Sequence, residues 1–254
     1  SGNTTVDVVD VDAPTLLQGC DEGIFEQIDW AQIGDQADWL DGTTSDCGVG
    51  TIVYSTALAW DGAKLADGPK VIADLFDTAK FPGKRGLWKN PATNLEFALL
   101  ADGVAPDALY PLDLDRAFAK LDTIKADIIW WGGGAESQQL LASGEAPIGS
   151  FWNGRIFAIQ QEGGNVGISW NQNLTAADVL VVPKGAKNKD AAMKFLAEAT
   201  GATGQAKLAA ATGYAPVNVN SKSEMDPAVV AELPDAHVES QINLDMAYWA
   251  EHRD

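Results

Sequence analysis

Gln138-Gln-Leu-Leu-Ala-Ser-Gly-Glu-Ala-Pro-Ile-Gly-Ser-Phe-Trp-Asn-Gly-Arg155 reads as a helix end, a glycine stop at Gly144, a short apolar strand from Ala146 to Phe151, and then Trp152-Asn153-Gly154-Arg155 at the strand's carboxyl end. Ligands of open α/β sheets sit in the crevice outside the carboxyl ends of the strands. An aromatic ring, an amide and a guanidinium delivered there make a small polar pocket with one apolar wall. Arg155 suits a carboxylate, because its planar fork donates two parallel hydrogen bonds. Farther along, Asp178 opens the run Asp178-Val-Leu-Val-Val-Pro183. A fixed positive charge and a negative one on two successive sheet segments predict a binder of small zwitterions.

The 254 residues are enough for a sizeable core and for two lobes. Apolar residues make up 46% and charged residues 21%, ordinary for a globular chain in water. Nowhere do the roughly eighteen consecutive apolar residues of a membrane span occur. The net charge of −19 and a pI near 4.3 speak against nucleic acid and anionic membrane surfaces, and an acidic, solubilising surface accounts for them.

Cys20 and Cys47 lie in polar, glycine-bearing segments, outside any CxxC pair and without a histidine-rich partner, so no metal site is predicted. Joined as a disulfide they fit an oxidising compartment such as a bacterial periplasm; the alternative is two unrelated free thiols. The chain opens on Ser1-Gly-Asn-Thr-Thr and then Val6-Asp-Val-Val-Asp-Val-Asp12, a helix end running straight into a strand. That predicts a start inside a lobe, with earlier residues absent.

Strands and helices alternate along the chain, which makes it α/β. Val6 to Val11 reads as a buried strand, with Asp12 as cap and Pro14 in the first turn of a helix. Leu16 to Ile28 reads as two helical pieces broken at Gly19 and Gly23. Val49 to Trp60 is extended, Lys70 to Lys80 helical, and Gly86 to Lys89 a strand. Pro91 starts a helix. Leu112 to Lys125 is amphipathic, with Leu114, Phe118 and Leu121 inward. Asp127 to Trp131 is a strand whose passage through Gly132-Gly-Gly134 into a helix could aim backbone N–H groups at an anion. Arg155 to Gly163 is helical and Val166 to Trp170 a strand. Lys189–Thr200 and Gly204–Thr212 form a helix pair, and Asp226–Leu233 and Ile242–His252 close the chain as helices.

Catalysis needs a nucleophile with its base, or a metal. His237 and His252 lie in the acidic C-terminal stretch and read as solvated; there is no GxSxG elbow and no HExxH. Thirty-six acidic residues offer many carboxylate pairs, and nothing singles one out, so a hydrolase ranks below a binder. Phe151 and Trp152 alternate, so one faces inward and the other the strand's far side; the strand end favours Trp152 for the mouth. Trp131, also at a strand end, is either a second wall or core. Arg155 either neutralises local acids or binds ligand. Asp178 is either a turn residue or a partner for a cation, which a buried carboxylate requires.

The segments Val6-Asp-Val-Val, Tyr54-Ser-Thr-Ala-Leu-Ala-Trp-Asp61, Ser143-Gly-Glu145 to Trp152-Asn-Gly154, Asp178-Val-Leu-Val-Val-Pro-Lys-Gly-Ala-Lys-Asn188 and Thr212-Gly-Tyr-Ala-Pro-Val-Asn218 resemble the periplasmic substrate-binding proteins of ABC importers, in particular the spermidine/putrescine-binding family. The resemblance covers nearly the whole chain. It implies a type II periplasmic-binding-protein fold, two α/β lobes closing like a hinge on a ligand cleft between them. It also implies that the first sixth to fifth of a mature protein, in round terms, is absent. Polyamine receptors surround their amines with several carboxylates and aromatic faces. Here Lys89-Asn90-Pro91-Ala92-Thr93 stands where that family carries acids, and Ala176 where it has an aromatic. Two ammonium groups would be repelled by Arg155, whereas one ammonium and one carboxylate would be matched. The chain thus looks like the branch that includes 4-aminobutyrate (GABA) receptors of soil and plant-associated bacteria. In those, by resemblance, Arg155 clamps the carboxylate and Asp178 takes the amine.

The expectation is a periplasmic solute-binding protein delivering GABA or a close ω-amino acid to an inner-membrane permease. It is monomeric, with no cofactor, no metal, no nucleic acid and no membrane insertion. Its first lobe holds residues 1–57 and 178–217 and its second 58–177 and 218–254, with crossovers near Thr56, Asp178 and Asn218. Trp152 and Trp131 form the apolar walls, and Thr56 and Tyr54 add hydroxyl contacts. A carboxylate receptor using Arg155 and Lys89 is the runner-up, and a polyamine receptor comes third.

Overall fold

The computed structural model describes residues 4–252; Ser1, Gly2 and Asn3, part of the expected helix end before the first strand, lie outside it. In chain order the elements are β1 (Val9–Asp12), α1 (Ala13–Asp21), α2 (Trp30–Ile33), β2 (Thr44–Ser45), β3 (Gly48–Asp61), β4 (Arg85–Trp88), α3 (Pro91–Ala101), α4 (Leu114–Asp122), β5 (Ile128–Trp131), α5 (Gly134–Ala142), β6 (Ile148–Trp152), α6 (Asn153–Gln161), β7 (Val166–Val181), α7 (Lys189–Thr200), α8 (Ala202–Thr212), β8 (Ala215–Pro216), α9 (Pro227–Val230), β9 (Gln241–Asn243) and α10 (Met246–Glu251). They divide into two compact units. The first takes the residues up to Tyr54, Ala176–Ala236 and those from Trp249 on; the second takes Ser55–Thr175 and His237–Tyr248.

In the first unit, β1 runs antiparallel to the carboxyl-terminal part of β7, with Val9 opposite Val181 and Asp12 opposite Asp178. The opening part of β3 pairs with β2 and β8. Because strand side chains alternate, Leu180 and Val182 pack with Val49, Met193, Leu196 and Val217, while Val179 and Val181 pack with Leu16 and Cys47. Asp12 caps α1 by accepting from the Thr15 amide at 2.8 Å, and Pro14 sits in the first turn, as the residues predict. The helix does not break at Gly19. That residue is buried, and a Cβ there would run into the Phe25 ring, so its glycine serves close packing instead. Cys20 and Cys47 are joined in a disulfide, with Cα atoms 6.1 Å apart.

Residues 218–236 sit with this first unit, not with the second as the sequence reading had them. Their anchors explain it. Gln205 accepts from the Val217 and Asn218 amides at 2.7 and 2.8 Å, Asn218 donates to the Thr200 carbonyl, and Lys222 pairs with Asp235.

In the second unit the rest of β3 runs antiparallel to β6, β6 runs parallel to β4, and β4 parallel to β5. The amino-terminal part of β7 pairs with β9. Arg85 is fully buried and spends its guanidinium on the carbonyls of Leu75, Asp77, Phe81 and Gly83, holding the loop before its own strand. The expected strand at Val166–Trp170 and the separate run from Asp178 are one continuous strand, β7. The polar residues between them are accommodated: Asn173 accepts from the Ser55 hydroxyl and donates to the Trp170 carbonyl. Residues 242–252 begin as β9 and become helical only at Met246. On α4 two of the three residues expected to face inward are turned out, and Leu121 is half-buried. Leu114 and Phe118 are 46% and 55% exposed, and Ala117 is the buried residue. His237 is half-buried and stacked on Trp170, 4.6 Å between ring centroids, rather than solvated.

Candidate functional site

Three parallel strands of the second unit each end on a tryptophan: Trp88 on β4, Trp131 on β5 and Trp152 on β6. Trp88 and Trp131 are direct partners in the β4–β5 register, and their rings stack at 6.0 Å. Trp152 meets both edge-on, at 5.4 Å from Trp88 and 5.0 Å from Trp131. Such stacked and T-shaped pairs are the favoured arrangements of aromatic quadrupoles. Trp131 is fully buried, packed with Phe151, Leu140, Leu141 and Ile156. It is core and backs the group; the half-buried rings are those of Trp88 and Trp152. Trp88 was not among the residues singled out from sequence, although it carries the same signal, an aromatic closing a strand.

Arg155 lies in the first turn of α6, directly after this strand end. Its guanidinium crosses the start of α5 so closely that a Cβ on Gly134 would fall 2.7 Å from its Cζ. Only glycine leaves that space open. The residue is half-buried, and its Nε has no hydrogen-bond partner. The Asn153 amide serves the frame instead of the mouth, its carbonyl oxygen accepting from the Ser55 backbone amide at 2.9 Å. Thr56 pairs in register with Trp152; its hydroxyl is buried without a partner. The glycine passage 132–134 holds an internal anion, since the Gly132 amide donates to Glu136 at 2.7 Å. Lys89 has an exposed side chain, and its backbone amide donates to the Trp131 carbonyl.

Asp178 belongs to the first unit. It sits well inside β7 rather than at a strand head, with Asp12 directly opposite. Burial first, and then the carboxylates of Asp10 and Asp12, push its carboxyl up to about 8. Tyr54 on β3 faces the same charges. Burial chiefly, with Asp178 next, raises its phenol far above the ordinary range and keeps it neutral. Thr51 donates from its hydroxyl both to Asp10 and to the Asp178 carbonyl, at 3.1 Å each. The structure therefore brings Tyr54 and Asp178 together in one unit, and Trp131, Trp152, Arg155 and Thr56 in the other. The alternation Asp10-Val11-Asp12 was the available sign that β1 also carries acids on one face.

A family model described as "Bacterial extracellular solute-binding protein" matches residues 1–237. The gamma-aminobutyric acid-binding protein of Pseudomonas aeruginosa is 42% identical over 258 aligned residues, which take in 99% of this chain and 73% of that protein. The solved structure of the Atu4243 GABA receptor superposes with a TM-score of 0.90 at 57% identity, covering 99% of this chain and 78% of that one. A spermidine/putrescine-binding periplasmic protein of Salmonella typhimurium is more distant, 22% identical over 204 residues, 74% of this chain and 57% of that protein. The two-unit α/β architecture is the two-lobe fold of periplasmic binding proteins. The chain belongs to the family of bacterial extracellular solute-binding proteins.

Proposed function

We propose that this protein is the extracytoplasmic binding component of an ABC importer, that it binds without turnover, and that its ligand is a small zwitterionic amino acid, 4-aminobutyrate fitting best. The observation that carries the reading is the charge and surroundings of two side chains. Arg155 holds an unpartnered Nε in the helix turn that directly follows the Trp152 strand end, and Asp178 sits among acids. A carboxylate suits the first and an ammonium the second, and Trp88 and Trp152 offer apolar surface to a ligand's methylenes. Thr56 and Tyr54 supply hydroxyls, and Trp131 stiffens the wall from behind. The relatives named for GABA support the ligand class. The disulfide fits a periplasmic location. The partner is an inner-membrane permease, met by a monomer.

Titrating the protein with GABA, putrescine and malate while following tryptophan fluorescence tests the ligand. A response to GABA alone is expected. A response to malate alone would leave Asp178 without a ligand role, and a response to putrescine would remove Arg155 from the site. Arg155→Ala should weaken GABA binding by about 2–5 kcal/mol, roughly thirtyfold in Kd or more, because a desolvated carboxylate loses its partner.

A further inference from the structure

We propose that Asp10 and Asp12 act through Asp178 as positioning residues, so that capture of a ligand's ammonium group drives one proton from Asp178 into solvent. This rests on the reading of Asp178 given above and adds a proton to it. Asp12 lies directly across the β1–β7 ladder from Asp178, and Asp10 is two residues from Asp12 on the same strand. Opposed residues of an antiparallel pair share a face, as do alternate residues of one strand. Three carboxyls are thereby gathered on one face of two adjacent strands.

Carboxylates so placed cannot all stay ionised when one of them is half-buried, and the most desolvated member keeps its proton. Burial and both neighbours raise Asp178, to about 8. Asp10, exposed as a residue but lining a cavity and accepting from the Thr51 hydroxyl, is raised by burial and drawn back by that hydroxyl. The remaining groups near Asp178 come from other elements. Tyr54 of β3 stays neutral, and Tyr214 adds to the charge field acting on it. Lys207 of α8 lines the same cavity as Asp10.

The step balances simply. The ligand's ammonium keeps its three protons, the Asp178 carboxylic acid loses its own to water, and the resulting carboxylate pairs with the cation. Over pH 6–8 the ligand's own groups do not titrate, since amines and carboxylates of this kind lie near 10 and 4. Proton linkage then fixes the direction. Below the unliganded pKa of Asp178 each binding event releases about one proton, and Kd rises about tenfold per pH unit of acidification. Above it the dependence flattens.

Calorimetry of GABA binding at pH 7, in phosphate and again in Tris, reads the proton directly. The two heats should differ by close to the full difference between the two buffers' ionisation enthalpies, and Kd should weaken about tenfold from pH 7 to 6. Asp10→Asn combined with Asp12→Asn keeps an acceptor for Thr51 and a cap for α1. It should lower the proton count at pH 7 and move the break in the pH profile to lower pH. GABA binding whose heat is the same in both buffers, or a double variant with the parent's proton count, would overturn the proposal and leave the ligand assignment standing. A chain that does not bind GABA overturns both.

Discussion

Gly134 and Arg155 show how one missing methyl group shapes a binding atom's surroundings. Alanine at the start of α5 would be the better helix former by up to ~1 kcal/mol. Yet its Cβ would meet the guanidinium Cζ at 2.7 Å, so the arginine would have to swing away. Gly134→Ala should therefore keep or slightly raise the melting temperature while weakening GABA binding about tenfold or more. A variant that binds like the parent would show that Arg155 has other productive rotamers. Asp178 carries the opposite trade. Its folded-state pKa lies above the unfolded value near 3.9, so folding takes up a proton between about pH 4 and 8 and the unliganded stability falls as pH rises through that window. Asp178→Asn removes the titrating group and should stabilise the unliganded chain by about 1–3 kcal/mol at pH 7, with little gain at pH 4, while GABA binding is lost. Urea midpoints at the two pH values read this, and an equal gain at both would contradict the raised pKa.

The elements divide sharply into those legible from sequence and those that were not. β1, β3, β4, β5 and β6 are β-branched or apolar runs with turn residues at their ends, and pattern alone finds them. β7 escaped as a single strand because its middle, Asn171-Gln-Asn-Leu-Thr175, has no apolar alternation. What keeps it extended is tertiary: buried Asn173 answering Ser55 and the Trp170 carbonyl, and Thr175 bonded to Asn243 on β9. α4 misled in the other direction, since its amphipathic spacing is real but its fully packed residue is the small Ala117, with Leu114 and Phe118 exposed. The aromatic wall was half legible. Position at a strand end marked Trp131 and Trp152, but only the packed structure separates the fully buried Trp131 from the half-buried Trp152. Trp88 is the consequence. Trp88→Leu keeps an apolar strand end and removes a ring that stacks on Trp131 and meets Trp152 edge-on. It should cut GABA affinity about three- to thirtyfold and change the fluorescence response, with the unfolding free energy from urea titration lowered by less than ~2 kcal/mol. Unchanged affinity would confine Trp88 to packing.

Across the whole molecule, charge and covalent linkage pull against each other. A net charge of −19 keeps the chain soluble but sets like charges against one another in the compact state. The β1–β7 edge, with Asp10, Asp12 and Asp178 on one face, concentrates that repulsion in the first unit. The same unit carries the disulfide, which ties α1 to the start of β3 across 27 residues of sequence. Closing a loop of that length removes chain entropy from the unfolded state worth roughly 3–4 kcal/mol in the loop-closure account. It also fixes the Asp29–Gly48 stretch, whose short helical turns carry few apolar anchors beyond Trp30, Ile33 and Trp39. Reduction should therefore lower the stability of the first unit by about 3 kcal/mol, and Cys20→Ser with Cys47→Ser should match the reduced parent. Added salt should recover part of the loss by screening the acids. Urea titrations of oxidised, reduced and double-serine protein, at low and high salt, distinguish the two effects. If reduction leaves the midpoint where it was, the bridge adds nothing to folding and the acidic face must be held by Thr51 and the packing of Val179 and Val181 alone.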